Sequence, residues 1–112
     1  KALAQLRADV GMIFQSFNAG PAKQFGQELA TFLLAELAAA GSSTRTREAK
    51  FSAKAEKALN KAAIRIQTFK AANPLNFYKK SQLANAFLWA LKDGGCDQGY
   101  ADQLTEWLTL RL

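Results

Sequence analysis

The sequence predicts an all-α fold: one compact bundle of about five helices, with a long basic amphipathic helix at its centre. Three observations carry that expectation. Apolar residues recur at three- and four-residue spacing along most of the chain. No alternating β-branched run occurs, and the 112 residues hold one Val and three Ile. Clusters of Gly, Pro, Asn and Ser near 18–21, 41–44, 73–74 and 93–95 cut the periodic pattern into pieces of helix length.

Taken in order, residues 2–18 set Leu3, Leu6, Val10, Ile13, Phe14 and Phe17 on one helical face. Gly11 inside that stretch costs about 1 kcal/mol relative to Ala, tolerable where a neighbouring helix packs closely. Gly20-Pro21 ends the first helix and suits the start of a second, since proline is pre-shaped for a first turn. Residues 21–40 carry Phe25, Leu29, Phe32, Leu33, Leu37 and Ala40, widened by Leu34 and Ala38, so this helix is expected to be covered on two sides. Ser42, Ser43 and Thr44 are candidate caps for the third and longest helix, 46–72. Asn73-Pro74 closes it, because the residue before a proline is pushed out of the helical region. A connector over 75–79 precedes a fourth helix at about 80–92, with Leu83, Ala84, Phe87, Leu88 and Leu91 inward. Asp93-Gly94-Gly95 breaks that helix. A fifth starts near Gly99 and carries Tyr100, Leu104, Trp107, Leu108 and Leu110, with Asp97 as its cap.

With 49% hydrophobic and 21% charged residues the chain can bury one core, so residues 1–112 form a single domain rather than a disordered segment. The net charge of +6 is uneven. Between Ser43 and Lys80 lie ten Lys/Arg against two Glu, while the remainder holds five against seven acidic residues. A localised cationic field of this kind attracts phosphates or acidic proteins. At 100° per residue, Lys50, Lys54, Lys57, Lys61 and Arg65 fall within about 80° of one another on the third helix. Phe51, Ala55, Ala58, Leu59, Ala62, Ile66 and Phe69 form its apolar face. A face built only for solubility mixes signs in Glu–Lys pairs, and here only Glu56 lies in the span.

These residues lead to a non-enzymatic helical module that binds DNA or RNA through phosphate contacts with low sequence specificity. Such a module fits a subunit or accessory factor of a larger complex. Lys50, Lys54, Lys57, Lys61 and Arg65 would carry the contact, with Arg45, Arg47, Lys79 and Lys80 at its rim. Phe77 and Tyr78, beside Lys79 and Lys80, are candidate stacking residues, as aromatic–cation pairs hold single strands. Trp89, off the apolar stripe of its helix, is a candidate interface residue. The alternative is a protein-interaction or assembly module whose basic face meets an acidic partner. A homo-oligomer joined through the acidic end (Asp93, Asp97, Asp102, Glu106) falls in that class.

Enzyme chemistry has little to work with. Histidine is absent, and the single Cys96 sits in a glycine-rich turn with no base beside it. Asp102 and Glu106 share a helical face, but two carboxylates make a thin metal site, and no cofactor is expected. A helix-turn-helix reading of the last two helices fails on the length of their connector and the acidity of the final helix. The lone cysteine favours a reducing compartment, and the longest apolar run is too short to span a bilayer, so a cytoplasmic location without membrane contact is expected. The chain opens on Lys1 rather than Met and is read as a processed product or a fragment.

Overall fold

The computed structural model describes residues 18–42 and 53–112, with the side chains of 53 and 54 outside that set. Four α-helices and no strand occur among the described residues: α1 (Gly20–Ala39), α2 (Ala53–Ala72), α3 (Phe77–Asp93) and α4 (Gln98–Thr109). The helix expected over residues 2–18 lies outside the described residues, so only four of the five expected helices are seen.

Each boundary has a local cause. Pro21 stands in the first turn of α1, and Asn18 Oδ1 accepts a hydrogen bond from the Gly20 N–H at 3.2 Å. The α1 C-terminus closes in a Schellman turn: Ser42 N–H bonds the Leu37 carbonyl at 2.9 Å, and Gly41 N–H bonds that of Ala38 at 3.0 Å. That turn needs a left-handed residue, which Gly41 supplies at φ 75°. The end of α3 repeats the device with Gly95 at φ 87°, and Cys96 N–H bonds the Leu91 carbonyl at 3.0 Å. Asp97 caps α4 through the Tyr100 N–H, as expected.

Two expectations about the elements need correction. α3 starts at Phe77, not near Lys80, because the Asn76 side chain accepts the Lys79 N–H at 2.8 Å and nucleates the turn there. Phe77, Tyr78 and Lys79 are therefore its first turn rather than a connector. The basic helix is also not the central one. Its described part is twenty residues, the same length as α1. α1 and α3 form the central pair, with α2 packing on α1 and α4 on α3.

The reason is the width of the apolar arc on α1. Leu29, Leu33 and Leu37 are buried, and so are the small residues Ala22, Gly26 and Ala30 at four-residue spacing. That small stripe lets the α3 backbone approach closely. A Cβ built on Gly26 would lie 2.5 Å from the Leu83 carbonyl oxygen and 3.2 Å from the Phe87 nitrogen. Into the space thus enclosed go Leu83, Phe87 and Leu91 from α3, then Tyr100, Leu104 and Leu108 from α4. α2 contributes Ala55, Ala58, Leu59, Ala62 and Ile66. No buried residue among those described is polar or charged in side chain beyond the Tyr100 hydroxyl and the Cys96 thiol. Each large apolar side chain so buried contributes about 1.5–3 kcal/mol.

Gly26→Ala is expected to destabilise the fold by about 1–3 kcal/mol, although alanine is the better helix former, because the added methyl meets backbone rather than a movable side chain. Thermal unfolding followed by circular dichroism measures it; an unchanged or higher Tm would mean that α1 and α3 do not cross at this residue.

Candidate nucleic-acid interface

α1 and α2 lie antiparallel, and their shared edge can be followed residue by residue. Phe25 stacks on Phe69 with ring centroids 4.2 Å apart and planes 7° from parallel. Further along α1, the Phe32 ring lies 3.8 Å beneath the Arg65 guanidinium carbon. One turn later, Glu36 accepts a 2.9 Å hydrogen-bonded ion pair from Lys61 Nζ. Residues 25, 32 and 36 thus rise along α1 as 69, 65 and 61 fall along α2. The seam passes from aromatic to cationic as it runs toward the start of α2.

Lys57, Lys61 and Arg65 are exposed and lie together on one side of α2, as the helical wheel predicts. Two of the three have partners within the chain. The Lys61–Glu36 pair is a surface bridge, with 61% of the Lys61 side chain still accessible, and such pairs are worth about 0–1 kcal/mol. A phosphate can therefore compete for Lys61 at small cost. The Arg65 guanidinium carbon lies over the Phe32 ring, a contact that leaves its positive charge without a neutralising carboxylate among the described residues. Lys54 belongs to α2, but its side chain is outside the described set. Lys50, Arg45 and Arg47 lie outside the described residues altogether.

The rim and stacking residues are at the opposite end of α2. Lys79 and Lys80 are half-exposed on the first turn of α3. Phe77 is 86% exposed and Tyr78 is 40% exposed, so neither ring plugs the end of the bundle. Lys79 lines a cleft of about 150 Å³ with Asn18, Pro21, Asn73 and Pro74, where α1 begins and α2 ends. At the same end Lys70 Nζ donates to the Arg111 carbonyl at 2.8 Å, tying α2 to the last turn of the chain. The Arg111 guanidinium lies over Trp107 at 4.2 Å. Lys57, Lys61 and Arg65, the ridge residues whose side chains are described, are thus not contiguous with Lys79 and Lys80. Between the two groups lies apolar surface.

That surface was not legible as a site. A groove of about 380 Å³ is lined by Phe25, Ile64, Arg65, Thr68, Phe69, Ala72 and Asn73. The periodicity assigns Phe25 and Phe69 to buried faces, yet both are only half-buried. Ile64, 68% exposed, lies on the polar side of its own helix beside Arg65. An isoleucine in that position is the one sequence signal that the face is not purely cationic.

Trp89 is 56% exposed, with the Lys92 ammonium 5.1 Å from its ring centre. It borders a polar groove of about 620 Å³ between α1 and α3, together with Lys23, Gln27, Thr31, Gln82 and Asn85. α1 turns Lys23, Gln27 and Thr31 to that groove and Phe25, Phe32 and Glu36 to the α2 seam. These edges are about 160° apart, so Trp89 and the cationic face are separate surfaces.

Other chemistry is sparse. Among the described residues no group of three or more His, Cys, Asp or Glu side chains is placed to hold a metal, and no helix is long and apolar enough to cross a membrane. Burial and, second, the Asp97 charge push the Cys96 thiol up from 9.0 to about 11, so it is a packing group and not a nucleophile at neutral pH. Burial also raises the Tyr100 hydroxyl, opposed by its hydrogen bond with Ser42.

Both shifts raise the folded-state pKa, so the stability they contribute is complete below the unfolded values and is lost as pH rises through the folded ones. Urea unfolding should therefore show stability falling from about pH 9 towards pH 11, more gently in Cys96→Ala. A Cys96→Ala protein with an unchanged alkaline slope would refute this role. Compared with known proteins, the chain matches no family model, no curated protein and no solved structure.

Proposed function

We propose that the protein is a non-enzymatic helical module that binds nucleic acid through the basic side of α2, by phosphate contacts with little sequence preference. One observation carries this reading: Lys57, Lys61 and Arg65 stand exposed on one side of a packed helix, and Glu36 is the only carboxylate in ion-pair contact with any of them among the described residues. Lysine and arginine arrayed at one-turn intervals meet a polyanion as a rail of charge. They read no base edges, and the counterions they release supply the binding free energy. Lys50 and Lys54 extend the same row by sequence, and Arg45, Arg47, Lys79 and Lys80 add charge at its ends.

The Lys61–Glu36 pair makes the reading sharply testable. A duplex contacted by all five ridge residues gives a slope of log affinity against log salt of about −4 to −5, and Glu36 lessens it by holding Lys61. Fluorescence anisotropy with a labelled duplex should show binding at low salt that weakens steeply as salt is added. Glu36→Gln should bind more tightly and with a slope steeper by about 1. The triple reversal of Lys57, Lys61 and Arg65 to Glu should abolish binding. No binding at low salt, or binding indifferent to salt, overturns the proposal.

A further inference from the structure

The cationic row does not end in solvent. Past Arg65 it runs into the apolar groove between α1 and α2, whose described lining residues include no carboxylate. The cleft beyond shares Phe69, Ala72 and Asn73 with that groove and carries the surface on to Lys79. A strip with cations at both mouths and an aromatic, aliphatic floor between them is therefore continuous along the seam.

We infer that this groove receives the bases of single-stranded nucleic acid, so that the ligand of the basic face is a single strand rather than a duplex. The inference rests on the phosphate-binding reading above and adds what lies between the phosphates. In a duplex each base has its faces covered by its neighbours and its pairing edge occupied, so only the sugar–phosphate backbone can reach α2, and the apolar floor stays uncovered. In a single strand the base is free to leave the backbone line and lay its π-face against a ring, while the phosphates on either side meet cations. Phe25 and Phe69 are stacked on each other and both line the groove, so an entering base meets aromatic surface there. Ile64 lines the same groove, and so does Arg65, whose guanidinium carbon lies over the Phe32 ring. An acidic peptide satisfies the cations equally well but covers the aromatic floor only where its sequence places an apolar side chain, whereas every nucleotide brings a π-face beside its phosphate, and for that reason the peptide is the weaker occupant.

The test uses the full 112-residue chain and one labelled oligonucleotide, alone and annealed to its complement. Anisotropy should give affinity for the single strand roughly tenfold or more above that for the duplex at equal salt. Two uncharged variants separate the floor from the charges. Phe69→Leu keeps apolar bulk and removes the ring, and Thr68→Gln fills the groove from an exposed position that carries no core packing. Both should weaken single-strand binding roughly tenfold and leave duplex binding within about twofold. Equal affinity for the two forms, or single-strand binding unchanged in both variants, overturns the inference and leaves the phosphate reading standing. Displacement of the strand by polyglutamate as readily as by unlabelled strand also overturns it. No binding of either form sinks the basic-face proposal itself.

Discussion

The constraint on which the rest depends is the close crossing of α1 over α3 at Gly26. A Cβ at Gly26 would lie 2.5 Å from the Leu83 carbonyl oxygen, so the two backbones approach too closely here for any residue but glycine. Ala22 and Ala30 extend that flat contact by a turn on each side. Leu29, Leu33 and Leu37 lie on the same arc of α1 as these small residues and join the buried side chains of the other helices in one core. Gly94 makes a second close contact at the far end of α3, where a Cβ would meet Leu34 Cδ1 at 2.5 Å. α1 is held against α3 near both ends, and that rigid pair is the platform for the other two helices.

The surface features follow from this placement. A helix packed on both sides keeps two edges, and α1 presents different chemistry on each. One edge carries Lys23, Gln27 and Thr31 into the polar groove with α3. The other carries Phe25, Phe32 and Glu36 along α2. The α2 cations are therefore not a solvated fringe. Arg65 rests against an aromatic face that leaves its charge unneutralised, so that long side chain has lost part of its rotamer freedom before any ligand arrives, whereas Glu36 holds Lys61 in competition with a ligand. Binding to a charge that is already positioned costs less conformational entropy, which favours the seam over an arbitrary lysine-rich helix face.

Helix existence was legible because each apolar arc has a period and each end has a chemical stop. Asn73-Pro74, Gly41 and Gly95 fall where the periodicity says a helix must end, and Asp97 caps α4 as its position implies. The start of α3 was misplaced by three residues because Asn76 acts as a cap only if the chain after Pro74 turns at once, and a Phe-Tyr pair reads equally well as a connector. The seam was less visible. Phe25 and Phe69 lie at the margins of their arcs, where a small rotation of the helix decides between core and groove. The partnership of Lys61 with Glu36, 25 residues away, requires knowing which edge of α1 meets α2.

By itself, the sequence determined that this chain is helical, where most of its described helices end, and that its positive charge collects on one side of α2. These are local properties, set by spacing along the chain and by the backbone preferences of Gly, Pro, Asn and Asp. Tertiary structure alone decided that the α1–α3 pair and not the basic helix is central, and that Arg65 lies on Phe32 and Lys61 on Glu36. It also decided that the cationic row opens into an aromatic groove. Each of those depends on which arcs face one another, and that is settled by the depth at which two backbones can approach, a quantity that no single helix's pattern contains.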